Sequence, residues 1–243
     1  MTIDHRPVAS RKHVPFRPAS MLATLLATLA LSSTPVLAQS AKDVLVIGKT
    51  ADPQTLDPGV TMDNNDWTAS YHAYQRLVRY KSVGGKGSTE VEPELAESWK
   101  ISKDGLTWDF KIKAGNKFDD GTAVDAAAIK YSFDRMFGLK QGPSEAFPAN
   151  TVVTVTGPLC VRFQLASAYT PFLYTLANNG AGIVNPKVEA KVRDGDSAKA
   201  WLAGNTAGSG PYRLASWEKG QSLVLEPNPH FAGPKVRIWL QYQ

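Results

Sequence analysis

The sequence predicts a mixed α/β fold, and three local patterns indicate it. Short apolar runs rich in β-branched residues, such as residues 44–47, are typical of strands in a sheet. Alternating apolar segments meet at turn sequences such as Asp-Gly at residues 104–105, a strong hairpin signal. Between the hairpins, residues 126–136 carry apolar side chains at helical spacing. Strands and hairpins interleaved with helices favour an α/β architecture.

The first predicted strand is the apolar run at residues 44–48, which we expect to be buried on both faces. The loop that follows, residues 50–58, is dense in Asp and Pro. Loops after such strands commonly carry the ligand in open α/β sheets. Residues 63–66 then offer N-cap candidates for a helix that we expect to continue to about Tyr80.

Hairpins are predicted through the middle of the chain. Residues 81–90 form a charged, glycine-rich hairpin tip. Residues 99–101 pair with residues 106–112, whose alternate apolar side chains share one face. Residues 152–155 pair with residues 161–165 around Thr-Gly-Pro. The middle of the chain should therefore be rich in antiparallel pairing.

One helix is predicted between these hairpins, with Thr122 as N-cap, Asp125 completing a capping-box-like start and Gly138 at its end. Its expected core-facing residues are Ala126, Ile129, Phe133 and Met136. Further along the chain, residues 183–184 are predicted as a strand and residues 194–202 as a helix. A last strand is expected to carry Val236, Ile238 and Leu240 on one face.

A glycine turn feeding a two-stranded hairpin is predicted at residues 208–229. Gly208 and Gly210 can take positive φ, and Pro211 fixes φ at the strand entrance. Lys-Gly at residues 219–220 makes the reversal. Such bare backbone suits a ligand cleft or a hinge, and an ordinary tight connection is the alternative.

Composition indicates a globular protein with a sizeable core, at 43% hydrophobic and 20% charged residues. The formal net charge of +5 falls to +2 when residues 1–38 are set aside, leaving 23 basic and 21 acidic residues. No basic run remains, so we expect no nucleic-acid partner. The lone Cys160 rules out an internal disulfide and is predicted to be a small buried hydrophobe.

The N-terminal 38 residues have the order of a secretory signal. Basic residues precede an apolar run at residues 21–31, and the segment ends in the small residue Ala38 before Gln39. We predict cleavage after Ala38, with an uncleaved membrane anchor as the alternative. The apolar run is about half the length that a membrane-spanning helix needs. The mature protein is therefore expected to be soluble and outside the cytoplasm.

The mature region lacks the sequence patterns of common catalytic and metal-binding sites. Its two histidines, His72 and His230, lack a second ligand at metal-binding spacing, so no metal site is predicted. No phosphate loop, dinucleotide fingerprint or nucleophile elbow occurs, so no cofactor is predicted. The carboxylates of Asp119 and Asp120 are better explained by turn chemistry than by acid–base catalysis. These observations favour a binding protein over an enzyme.

Five motifs then coincide in order, and together they resemble the family 5 extracellular solute-binding proteins of ABC importers, the dipeptide, oligopeptide and nickel type. The motifs are Leu-Asp-Pro (56–58), Pro-Glu-Leu-Ala-Glu-Ser-Trp (93–99), Asp-Gly-Leu-Thr-Trp-Asp-Phe-Lys-Ile-Lys-Ala-Gly (104–115), Phe-Asp-Asp-Gly-Thr (118–122), and Gly-Ser-Gly-Pro-Tyr (208–212) with Asn-Pro (228–229).

The resemblance implies the first lobe of a type II periplasmic-binding-protein-like fold with a mixed sheet. It implies first-lobe segments at residues 39–79 and 183–243, with a hairpin-rich subdomain at residues 80–182 inserted between them. Family members continue into a second lobe after the strand that matches residues 236–240. We expect that lobe to be absent here, through a truncated gene product or a broken reading frame, with a partner chain as a third possibility.

The resemblance also implies a periplasmic component that binds a small peptide-like solute and delivers it to the membrane subunits of an ABC permease. We expect a monomer. The alternative is a truncated, non-binding remnant that acts as a structural or interaction fragment, and a secreted hydrolase ranks third. Loop position and the resemblance together suggest these ligand-binding residues: Thr50, Ala51, Asp52, Met62, Asp63, Asn64, Asn178, Asn179, Ser209, Gly210 and Tyr212.

Overall fold

Ten strands in three sheets form the framework of residues 43–243, the part of the chain that the computed structural model describes. The predicted signal sequence, residues 1–38, lies outside these residues. The strands are β1 (Val44–Ile47), β2 (Val78–Val83), β3 (Lys86–Pro93), β4 (Ala96–Ile101), β5 (Thr107–Ile112), β6 (Val152–Gly157), β7 (Cys160–Gln164), β8 (Tyr212–Glu218), β9 (Ser222–Pro227) and β10 (Trp239–Tyr242).

The helices connect and cover these sheets. They are α1 (Asn64–Ala73), α2 (Ala126–Leu139), α3 (Phe172–Leu176) and α4 (Lys199–Leu202), with short 3-10 turns at Gly142–Ala146, Asn179–Ala181 and Pro186–Lys191. The sheet orders are β1-β10-β9-β8, β2-β3 and β4-β5-β7-β6. The strand pair β1 and β10 is parallel and its neighbours are antiparallel, so the predicted mixed α/β class is confirmed.

The sheet β4-β5-β7-β6 and helix α2 enclose the larger core. Trp108, Phe110 and Ile112 on β5 are buried on one face, as their alternation predicted. Phe133 of α2 meets Phe163 of β7 edge to face, with ring centroids 4.8 Å apart. The predicted apolar stripe of α2 is buried. The predicted hairpins β4–β5 and β6–β7 are present. Cys160, which was predicted to be buried, is only half-buried.

The prediction that the first strand is buried on both faces is wrong. Strand β1 lies at an edge of its sheet and pairs only with β10 among the described residues. Leu45 and Val46 are 52% and 53% exposed. Because successive side chains of a strand point to opposite faces, both faces are uncovered at this edge.

The observed ends of two helices also differ from the predicted ones. Asp125, not Thr122, is the N-cap of α2, since its carboxylate accepts the Ala128 N–H at 2.9 Å. The helix passes Gly138 and ends at Leu139, because the next residue, Lys140, has a left-handed backbone. The helix predicted at residues 194–202 is confined to α4 because Ser197 and Ala198 adopt positive φ, which a right-handed helix cannot accommodate.

Tertiary contacts explain the remaining differences. Helix α1 ends at Ala73, well before Tyr80, because the Gly210 N–H caps the Ala73 carbonyl at 2.9 Å. Residues 183–184 are buried but form no strand. The last strand begins at Trp239, so it contains Leu240 but neither Val236 nor Ile238.

The hairpin predicted after the glycine turn is confirmed as β8 and β9, but its glycines serve a different purpose from the one expected. Neither Gly208 nor Gly210 has a positive φ. A Cβ built on Gly208 would lie 2.0 Å from the Ala73 carbonyl oxygen, and one on Gly210 would lie 2.4 Å from that of His72. Glycine is therefore required here because the backbone packs directly against the C-terminal end of α1.

Replacing Gly208 with alanine should lower the free energy of unfolding by about 3 kcal/mol, because the new methyl group meets backbone that cannot move aside. Chemical denaturation of the full chain measures the loss. The matched control is Gly204→Ala, where an added Cβ has no atom within 4 Å and the change should stay within about 0.5 kcal/mol. Equal losses for both variants would contradict the steric explanation.

Candidate functional site

A cleft of about 170 Å³ opens between the loop after β1, helix α1 and the turn that joins β8 to β9. Three predicted ligand-binding residues, Thr50, Ala51 and Asp52, line it and are exposed. Sequence reasoning missed the other polar residues of its wall, which are Lys49, Asn65, Gln221, Tyr242 and Gln243. Lys49 and Asn65 carried a local signal, since they adjoin the predicted site residues Thr50 and Asn64; Gln221, Tyr242 and Gln243 are brought there by the fold.

The loop that lines the cleft is anchored on both sides. The Asp52 carboxylate accepts the Gly220 N–H at 2.5 Å and the Trp217 indole N–H at 3.4 Å. On the other side, the Lys49 ammonium donates to the Thr68 hydroxyl of α1 at 2.9 Å. The loop backbone is thereby held against two separate elements, which preorganises it to receive a ligand.

A second anchor ties this loop to the start of α1. The buried Asp66 carboxylate accepts the Gln54 N–H at 2.6 Å and the Thr61 hydroxyl. Thr61 in turn accepts the Asp63 N–H at its hydroxyl, at 3.1 Å. The two halves of the loop, residues 50–54 and 61–63, are therefore fixed to one carboxylate.

Met62, Asp63 and Asn64 are exposed at the N-terminus of α1. Asp63 is the N-cap, and its carboxylate accepts the Asn65 N–H at 2.7 Å. The Met62 side chain packs so closely on Gly142 that a Cβ there would lie 2.6 Å from its Cγ. These three residues adjoin the cleft through Asn65, which lines it.

Asn178 and Asn179 lie at a short 3-10 turn, where the Asn178 side chain accepts the Gly180 N–H at 3.2 Å. Gly180 packs against Pro143, in the same 3-10 segment that contacts Met62. Neither asparagine lines the cleft beside Thr50. The structure therefore places this pair with the Met62 side of α1, away from the Asp52 loop.

Ser209, Gly210 and Tyr212 are buried against the C-terminal half of α1 and do not line the cleft. The Tyr212 ring meets the His72 ring edge to face, with centroids 5.8 Å apart. Burial, and secondarily the charge of Arg76, lowers the pKa of His72. At neutral pH this imidazole is therefore uncharged and packs as an apolar ring.

A separate groove contains Asp119 and Asp120, beside the Arg213–Glu226 ion pair. Burial, and secondarily the Asp120 charge, raises the pKa of Asp119 to about 6. Desolvation also acts on Asp120, but hydrogen bonds from Thr122 and Lys187 outweigh it and hold its pKa at about 2. The Asp120 carboxylate accepts the Thr122 N–H at 2.8 Å, as turn chemistry predicted.

The contributions of Asp119 and Asp120 to the stability of the fold should depend on pH in opposite ways. Between pH 3.8 and about 6 the folded chain keeps a proton on Asp119 that the unfolded chain releases, so this contribution to stability is lost as pH rises through about 6. Asp119→Asn should therefore gain stability over the parent at neutral pH, on the order of 1 kcal/mol after screening, and nothing below about pH 3.8.

The matched control is Asp120→Asn. The depressed pKa of Asp120 stabilises the fold above pH 3.8, and this contribution disappears as pH falls towards about 2. That variant should lose stability at neutral pH. Urea titrations at about pH 3.5, 5 and 7 measure both effects. Parallel pH profiles for the parent and Asp119→Asn would contradict the raised pKa.

Residues 43–243 contain neither a metal-binding cluster nor a membrane-spanning helix. No three or more His, Cys, Asp or Glu side chains in this part of the chain are grouped so as to hold a metal ion. No helix within it is long and apolar enough to cross a membrane.

Similarity to known proteins identifies the family of this chain. Residues 90–238 match the model of bacterial extracellular solute-binding proteins, family 5, middle region. The "Probable D,D-dipeptide-binding periplasmic protein DdpA" of Escherichia coli is 54% identical over 226 residues, which is 93% of this chain and 43% of that protein. The dipeptide-binding protein DppE of Bacillus subtilis is 28% identical, over 77% of this chain and 36% of that protein.

Solved structures agree on the fold. The periplasmic binding protein DppA of Helicobacter pylori, in complex with the peptide STSA, superposes with a TM-score of 0.69 at 25% identity, covering 82% of this chain and 42% of that one. NikZ of Campylobacter jejuni gives a TM-score of 0.73 at 24% identity, covering 83% and 39%. The chain thus spans less than half the length of these relatives. The resemblance in its motifs is confirmed, and the chain belongs to the family 5 bacterial extracellular solute-binding proteins.

Proposed function

We propose that this chain provides the first-lobe wall of the periplasmic solute-binding component of an ABC importer. Its solute is a small peptide-like molecule, more narrowly a D,D-dipeptide, which it delivers to a membrane permease. The observation that carries the proposal is the 54% identity, over 93% of the chain, to a relative named for D,D-dipeptide binding. The proposed activity is that of a binding protein, as in the relatives, and not of an enzyme.

The cleft supports this proposal by its chemistry. It presents an ammonium group at Lys49, an amide at Gln221 and the backbone of residues 50–52 on a preorganised loop. Such groups match the charged ends and the peptide bond of a dipeptide. The volume of about 170 Å³ is below the roughly 300 Å³ of a complete small-molecule site, as expected for one wall of a cleft that closes.

The distribution of strands supports the proposed lobe boundaries at residues 39–79, 80–182 and 183–243. Strand β1 pairs with β10, and β10 with β9, so the two ends of the described chain share one sheet. The sheets formed by β2 to β7 lie wholly between them in sequence. An inserted subdomain with its own sheets is what the proposed scheme requires.

Calorimetric titration of the full chain, isolated from the periplasm of an expressing bacterium, tests the binding. D-alanyl-D-alanine should bind at least about tenfold more tightly than L-alanyl-L-alanine, because the two enantiomers present their methyl groups to opposite sides of one fixed wall. At a concentration of about 100 Kd the bound dipeptide should add about 2.7 kcal/mol of stability and raise Tm. A cooperative melt that neither dipeptide nor a mixed peptide pool shifts would favour the non-binding remnant.

The proposed export route has an independent test. Intact-mass measurement of the periplasmic product should show a chain that begins at Gln39, because cleavage is predicted after Ala38. Replacing Ala38 with a bulky Phe should block processing, since the cleavage site requires a small residue. A periplasmic product that keeps residues 1–38 would instead indicate an uncleaved anchor.

A further inference from the structure

A fully buried ion pair joins two segments that are far apart in the sequence. The guanidinium of Arg135 on α2 donates to the Asp57 carboxylate in a bidentate manner, with Nη1–Oδ1 at 2.9 Å and Nη2–Oδ2 at 2.5 Å. The two side chains are 3% and 0% exposed. A buried ion pair repays its desolvation cost only when its geometry is good and its remaining polar groups are hydrogen-bonded. The hydrogen-bond partners of this pair therefore show which segments it holds together.

The third nitrogen of the guanidinium, Nε, also makes a hydrogen bond. Nε donates to the Ser197 carbonyl at 2.7 Å. Ser197 and Ala198 both have positive φ, of 53° and 60°, which costs about 1–2 kcal/mol for each non-glycine residue. The Asp196 carboxylate stabilises this turn by accepting the backbone N–H groups of Arg193, Ala198 and Ala200. The strained turn thus directs a carbonyl at Arg135.

On its other side Asp57 organises the loop that leads to the candidate site. Its carboxylate accepts the Gly59 N–H at 2.9 Å, and its carbonyl accepts the N–H groups of Val60 and Thr61 at 3.3 and 3.4 Å. Thr61 then contacts Asp66, the carboxylate that also fixes the Gln54 side of the loop. The path from Arg135 to the cleft loop is therefore continuous.

We propose that Arg135 is a positioning residue for the solute site. Through Asp57 it sets the shape of residues 57–61, and so the placement of Met62, Asp63 and Asn64 beside the cleft. This inference rests on the proposed solute-binding function. The Arg135 side chain is only 3% exposed, so it acts without touching the solute.

The test uses Arg135→Lys, which keeps the charge but not the bidentate geometry. In hydrogen exchange of the full chain, the amides of Gly59 and Thr61 should exchange at least about tenfold faster than in the parent, while those of Phe110 and Phe163 stay unchanged. Affinity for D-alanyl-D-alanine should fall by about tenfold or more.

The matched control is Arg162→Lys, because Arg162 makes a bidentate contact with Asp109 at 2.7 and 2.9 Å on the exposed face of the β5–β7 sheet. It should change neither exchange at Gly59 and Thr61 nor affinity. If Arg135→Lys fails to fold, the double variant Asp57→Asn with Arg135→Met removes both charges together and carries the same expectations.

The outcomes separate the two claims. A parent that binds neither dipeptide contradicts the proposed function, and this inference with it. A parent that binds, with affinity unchanged in Arg135→Lys, overturns the positioning role alone. Unchanged exchange at Gly59 and Thr61 also overturns it, because the loop would then keep its shape without the bidentate contact.

Discussion

The buried contact between Asp57 and Arg135 is the interaction on which the rest of this structure depends. It joins the loop after β1, helix α2 and the turn before α4, three segments that share no strand pairing. Removing one partner of such a pair leaves an uncompensated buried charge and commonly destabilises a protein by about 3–5 kcal/mol. Because three segments converge on it, the pair fixes their relative placement as well as their stability.

Helix α1 is then constrained at both ends. Asp63 caps its N-terminus, and the buried Asp66 carboxylate in its first turn holds the preceding loop. At its C-terminus the backbone of Gly208 and Gly210 packs on the last carbonyls with no space for a side chain. The cleft loop is bound to this helix through Lys49, so the position of the candidate cleft wall depends on contacts made far from the cleft.

Much of this fold was predictable because the decisive signals were local. Asp-Gly at residues 104–105 specified a hairpin, and the apolar spacing of α2 specified its buried face. The length of α1 and the exposure of β1 were not predictable, since each is decided by a partner distant in sequence: Gly210 for the helix end, and a single neighbouring strand, β10, for the edge. Periodicity indicates which secondary structure a segment favours on its own. Tertiary contacts then decide where that element ends and which of its faces are buried.

The same limit governs the candidate site. Thr50, Ala51 and Asp52 were identified by their position after a strand, and that topological rule does place them on a cleft. Gly210 was identified by loop position and the family resemblance, in a glycine turn whose bare backbone suited close approach, and the approach is real. The group that approaches, however, is the carbonyl end of α1. A glycine motif indicates that another group packs directly against the backbone. Only the fold determines whether that group belongs to a ligand or to a helix.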